Sequence, residues 1–72
     1  MRVHLRVHRT ARGAWVEVHY LNEGMTVHPM HLHGLDQLVI AKDGYPLPAP
    51  YRADTVLVAP GERYRVTAMV VQ

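Results

Sequence analysis

Arg2-Val3-His4-Leu5-Arg6-Val7-His8 and, after a short break, Trp15-Val16-Glu17-Val18-His19-Tyr20-Leu21 alternate apolar and polar side chains along their length. Period-two alternation is the signature of a half-buried strand, because successive side chains leave a strand on opposite faces. Between the two stretches, Thr10-Ala11-Arg12-Gly13 reads as a hairpin turn. With the loop centred on Ala11 and Arg12, His4 falls opposite His19, Arg6 opposite Glu17 and His8 opposite Trp15. Val3, Leu5, Val7, Val16, Val18 and Tyr20 then share one face. A slip of one residue would move one strand's apolar set to the other face, so the pattern fixes the register.

Outward from this hairpin the chain continues in short strand-like pieces. Asn22-Glu23-Gly24 breaks the alternation, and after a histidine-rich segment Gln37-Leu38-Val39-Ile40-Ala41 reads as a strand buried on both faces. From Lys42 to Asp54, Gly44 and the spaced Pro46, Pro48 and Pro50 exclude helix and favour an extended, polyproline-like loop. Thr55-Val56-Leu57-Val58 is strand-like, Pro60-Gly61 is a tight turn, and Arg63 to Val71 alternates again with Tyr64, Val66, Ala68 and Val70 on one face. No stretch has sustained helical periodicity. The expected fold is a single all-β domain over residues 1–72, a sandwich or open barrel of about five or six strands. A β-domain this small leaves strand edges uncovered, and oligomerisation is the ordinary remedy.

Composition narrows the function. At 72 residues the chain buries only about 60% of the surface it exposes when unfolded, so a large private core is excluded. Apolar residues at 49% and charged residues at 19% place it with folded rather than disordered chains. It contains no cysteine, which excludes disulfides, thiolate nucleophiles and zinc-thiolate clusters, and leaves histidine, carboxylate or methionine as metal ligands. The formal charge is +2 and the basic residues form no run that could track a phosphate backbone, so no nucleic-acid partner is expected. No apolar run approaches the roughly 18 residues of a membrane span, and the first residues lack the apolar core of a signal peptide. Glu23, Asp36, Asp43, Asp54 and Glu62 are scattered at turns and strand ends, and there is no serine, so neither an acid pair nor a hydrolytic triad is indicated. The isolated glycines match no phosphate loop.

The anomaly is six histidines, three of them in Met25-Thr26-Val27-His28-Pro29-Met30-His31-Leu32-His33-Gly34. Imidazole suits copper, zinc, iron and nickel, whereas thioether favours cuprous copper, so the mixture leans towards copper. On a strand His31 and His33 face the same way, about 7 Å apart, close enough to serve one metal cluster. His28 has the opposite parity, and Pro29, which cannot donate to a ladder, is where a departure from regular pairing would aim it at a separate site.

The string His28-Pro29-Met30-His31-Leu32-His33-Gly34 resembles the copper motif of the cupredoxin-like domains of multicopper oxidases, the laccase-like family. The resemblance continues through Asp43-Gly44-Tyr45-Pro46 and from Asp54 to Tyr64, covering roughly residues 14 to 71. It implies a cupredoxin-like Greek-key β-sandwich, with His28 at the type 1-like copper position and His31 and His33 as ligands of the trinuclear type. It implies copper as the cofactor and, for relatives, a periplasmic or extracellular location. The family closes its site with a later His-Cys-His element, which this sequence does not contain. Arg65 and the His4, His8 and His19 set on the first hairpin are not expected from the family.

Each residue also has a plainer reading. His4 and His19 are either an outward cross-strand polar pair or a second metal site, and His8 opposite Trp15 is a stacking contact. Met25 and Met30 are expected to pack rather than ligate. The reading that gathers most of these features is a copper-binding module whose sites at His28, His31 and His33 are completed by homo-oligomerisation. A two-fold or three-fold axis beside His31 and His33 would collect four or six imidazoles, as a dimer or a trimer. Laccase-like oxidase activity in the assembled oligomer, or a β-scaffold without metal function, are the alternatives.

Overall fold

The computed structural model describes residues 1–70. The first hairpin closes as the alternation requires: β1 (Arg2–Thr10) and β2 (Gly13–Leu21) pair antiparallel with His4 opposite His19, Arg6 opposite Glu17 and His8 opposite Trp15. The Thr10 hydroxyl ties the turn by donating to the Gly13 carbonyl at 3.1 Å and accepting from the Arg12 amide at 3.2 Å.

Among the described residues the chain forms five further strands, β3 (His28–His31), β4 (Gln37–Lys42), β5 (Tyr45–Ala53), β6 (Thr55–Val58) and β7 (Arg63–Val70). Seven strands therefore replace the expected five or six. The difference lies in Lys42 to Asp54, where the sequence predicts a loop. Asp43 and Gly44, with φ of 52° and 87°, make a two-residue turn between Lys42 and Tyr45, and the chain returns as β5. The three prolines are tolerated because β5 is an edge strand, where a missing N–H need not break a ladder. Pairing is interrupted all the same: Ala41 faces Pro46 and Val39 faces Tyr51, so residues 47–50 fall opposite Ile40 alone.

Two antiparallel sheets result, one ordered β1-β2-β7-β4-β5 and a smaller one of β3 and β6. Val16, Val18 and Tyr20 from β2, Val39 from β4, and Val66 and Ala68 from β7 meet Val56 and Val58 of β6 in the core. Alternation along Tyr64, Val66, Ala68 and Val70 holds, while Val71 lies outside the described residues. β4 departs from its expectation of burial on both faces. Gln37, Val39 and Ala41 are buried, but Leu38 and Ile40 are half-buried, because the small sheet covers only one side.

The small sheet is also too narrow to reach β1. Val3, Leu5 and Val7 share the core-side face with Val16, Val18 and Tyr20, yet they remain 50%, 51% and 48% exposed. The predicted common face is present, but at β1 it is uncovered.

Candidate metal centre

The histidine segment is held by its own apolar residues. Met30, Leu32 and Leu35 pack against the core, while His31, at the end of β3, and His33, in the turn that the Leu35 amide closes on the Leu32 carbonyl at 3.0 Å, remain exposed. Their rings lie edge to face with centroids 6.1 Å apart. The two rings are neighbours, but the expected strand spacing is replaced by a turn directly after His31.

Pairing runs regularly through β3, from His28 opposite Val58 to His31 opposite Thr55, so the expected irregularity at Pro29 does not occur. β3 is itself an edge of the small sheet, and an edge accommodates proline without a break. His28 shares the parity of half-buried Met30 and stands apart from the outward pair. Among the described residues no three histidine, aspartate or glutamate side chains are placed to hold one metal ion.

Two fully buried amides fix the segment. The Gln37 side chain accepts a hydrogen bond from the Tyr20 hydroxyl at 2.6 Å and donates to the carbonyls of Met30 at 2.9 Å and Asp54 at 3.3 Å. Burial pushes the Tyr20 phenol pKa up, so the hydroxyl keeps the proton it donates. At the other end of β3, Asn22 donates to the Thr26 and Val58 carbonyls at 2.7 and 2.9 Å and accepts from the Gly24 amide at 2.9 Å. Its backbone bonds Glu62 and Gly61 as well, tying the β2 exit to the β6–β7 turn. Neither role is visible in the sequence, where Asn22 reads as a strand breaker and Gln37 as the start of an apolar strand.

The same carbonyl of Asp54 meets His31 Nδ1 at 3.0 Å. A carbonyl can only accept, so Nδ1 carries the proton and the lone pair of the neutral ring resides on Nε2. Fixing the tautomer of a ligating histidine through its other ring nitrogen is the usual arrangement around bound metals. The Asp54 carboxylate lies 3.7 Å from His31 Nδ1.

The remaining candidates separate cleanly. His8 stacks on Trp15 at 3.9 Å and 8°, as expected, and its Nε2 is buried without a partner. His4 and His19 rings are 6.4 Å apart and tilted, and His19 Nε2 meets the Glu17 carboxylate at 2.8 Å. Hydrogen bonding from His19 holds the Glu17 carboxyl below its ordinary pKa, with help from Arg65 and Arg6. Met30 packs as anticipated, but Met25 does not, being 92% exposed in the loop before β3. The acids behave as turn and end residues: Asp43 accepts from the Arg63 amide, Glu62 accepts from the Ala59 amide and pairs with Lys42, and Glu23 pairs with Arg2. No helix in the described residues is long and apolar enough to cross a membrane.

A sandwich of this form, carrying His-Pro-Met-His-Leu-His-Gly along an edge strand and the turn after it, defines a cupredoxin-like domain of the multicopper oxidase class. A family profile for multicopper oxidase matches residues 2–71, and the chain belongs to that family. The match takes in β1, which the motif resemblance, beginning near residue 14, did not reach. Among solved structures, the multicopper oxidase mgLAC is similar at 48% identity with a TM-score of 0.80, over 89% of this chain and 20% of that one. The chain therefore spans about a fifth of that protein. No curated protein matches.

Proposed function

We propose that this domain is a copper-binding cupredoxin-like module in which His31 and His33 supply two imidazoles and a second copy of the chain supplies the rest. The observation that carries the reading is the paired, outward-facing geometry of His31 and His33, with the His31 proton fixed on Nδ1 by Asp54. Copper held there would supply a redox-active, Lewis-acidic centre. Two imidazoles occupy half of an ordinary four-ligand sphere, so one chain does not saturate the ion. His28, on the other parity, serves a separate position.

Assembly is supported by two uncovered features. β3 lies at an edge of the small sheet, leaving its outer side accessible beside His31. The half-exposed Val3, Leu5 and Val7 form an apolar strip that association would remove from water. Direct β1-to-β1 pairing is disfavoured, because antiparallel pairing about Leu5 sets Arg2 against His8 and His4 against Arg6, bases against bases. Burial of the strip face to face is the arrangement consistent with both charge and hydrophobicity.

The test is copper loading followed by desalting and light-scattering chromatography with metal analysis. Retained copper at a fixed ratio in an oligomer is expected, lost in the His31→Ala/His33→Ala variant. Leu5→Lys should shift the protein towards monomer and lower copper retention, while the half-exposed position leaves the fold intact. Copper affinity unchanged by the double substitution would overturn the site. A monomer that retains copper would overturn its completion by a second copy, and a metal-free oligomer would make the motif a relic on a β-scaffold.

A further inference from the structure

The outer face of the large sheet carries basic residues that the sequence scatters and the registers collect. Arg2, Leu21 and Arg63 form one row across β1, β2 and β7, and His4, His19 and Arg65 form the next. Neighbours within a row are about 5 Å apart at Cβ and the rows are about 7 Å apart along the strands. Five basic side chains therefore border one groove of about 390 Å³, closed on the β4 side by Ala41, Gly44 and Tyr64.

Two carboxylates on this face are each engaged by one of the groove's own bases, which leaves the anion-binding capacity with the two arginines of β7. Glu23 pairs with Arg2 at 2.8 Å, and Glu17 stands opposite Arg6 in register while bonding His19. Among the described residues neither Arg63 nor Arg65 has a carboxylate partner. Arg65 directly faces His19, whose Nε2 is taken by the Glu17 carboxylate, so the guanidinium donors of Arg65 and Arg63 are what the groove offers to an anion. The same arginines repel a cation, which rules against the metal-site reading of His4 and His19. The groove is of the size that small ligands occupy, and Leu21 gives its floor an apolar patch between Arg2 and Arg63.

We propose that this groove is a binding site for a tetrahedral oxyanion ester with a small apolar body, a phosphate or sulfate monoester, held by Arg63 and Arg65 with His4 and His19 beside them. Arginine is the residue suited to such a ligand, since its planar fork gives two parallel hydrogen bonds to two oxygens. The site is independent of the copper reading and lies on other strands.

Nuclear magnetic resonance titration of the whole chain with phenyl phosphate, phenyl sulfate, inorganic phosphate and chloride, at matched ionic strength, tests it. Saturable shifts of the His4, His19 and Arg65 resonances are expected with both esters, with tighter binding of phenyl phosphate than of inorganic phosphate. Arg65→Gln should weaken binding about tenfold or more, and Arg63→Gln similarly, the loss expected for one charge-assisted contact. Arg52→Gln, on edge strand β5 beside a separate groove of the same sheet, should change nothing. Saturation by one ester alone would identify which anion the site takes and support it. Shifts that chloride reproduces, or equal affinity in well-folded Arg63→Gln and Arg65→Gln proteins, would overturn the proposal.

Discussion

Gln37→Leu separates the polar clamp from the apolar core around it. Leucine keeps most of the volume, so the cavity contribution is small and the loss falls on three hydrogen bonds, to the Tyr20 hydroxyl and the Met30 and Asp54 carbonyls. The Asp54 carbonyl keeps its contact with His31, but the Tyr20 hydroxyl, on a residue 1% exposed, is left without a partner. An unsatisfied buried hydroxyl together with the lost carbonyl contacts costs about 2–4 kcal/mol. For a chain of this length total stability is on the order of 4–11 kcal/mol, so the variant sits near the edge of folding. Its melting temperature should fall by roughly 10–30 °C.

Adding Tyr20→Phe gives the assay its discriminating power. Removing both partners leaves no orphaned hydroxyl, so the double variant should be less destabilised than the sum of the singles by about 1–2 kcal/mol. Thermal and urea unfolding of the four proteins measures this coupling. Strict additivity, or a Gln37→Leu protein within about 0.5 kcal/mol of the parent, would refute the clamp. Because Gln37 also orders the Asp54 carbonyl, Gln37→Leu should weaken copper retention, whereas His31→Ala should leave the melting temperature nearly unchanged.

The Lys42–Glu62 pair predicts a pH dependence. The Lys42 ammonium, and then the Ala59 amide, hold the Glu62 carboxyl below its ordinary value of 4.5. The unfolded chain therefore binds the proton more readily, so the contribution is complete above that ordinary value and is lost as pH falls through the lower folded one. Melting curves across the acid range should show a shallower decline for Glu62→Gln, and an identical acid limb would remove the pair from the account. Gly44→Ala should cost about 1 kcal/mol, because φ is 87° and no atom lies within 4 Å of the added Cβ, leaving backbone conformation as the sole source of strain. Gly44→Asn should be milder, and equal urea midpoints for the parent and the alanine variant would contradict this.

The readable and unreadable parts of the chain differ in what specifies them. The register of the first hairpin is legible because every slip reverses which residues face the core, and the β6 and β7 strands are legible for the same reason. His31 and His33 are neighbours in sequence and in space, but the turn from Leu32 to Leu35 that sets their geometry is not legible in the spacing. β5 was hidden by its prolines, although Asp43-Gly44 is the dipeptide that a two-residue turn with two positive φ angles requires. That local signal outweighs the prolines once β5 is recognised as an edge strand, but edge or centre is decided by topology, not by the segment itself.

Asn22 and Gln37 mark a deeper limit. Each buries an amide whose donors reach main-chain carbonyls, at Thr26 and Val58 in one case and Met30 and Asp54 in the other. A carbonyl is common to every residue, so no letter in the sequence announces it as a partner, and Val58 lies far along the chain from Asn22. These amides nonetheless decide where the histidine strand sits: one secures its entry, the other its exit, and the Asp54 oxygen shared by Gln37 and His31 joins the core to the proposed ligand. Position of the imidazoles thus depends on residues chosen for their reach to backbone, while identity of the imidazoles is written openly in the motif. Substitutions that spare every histidine but remove either amide should displace the pair, which makes Gln37 and Asn22 part of the site's construction, as much as the histidines themselves.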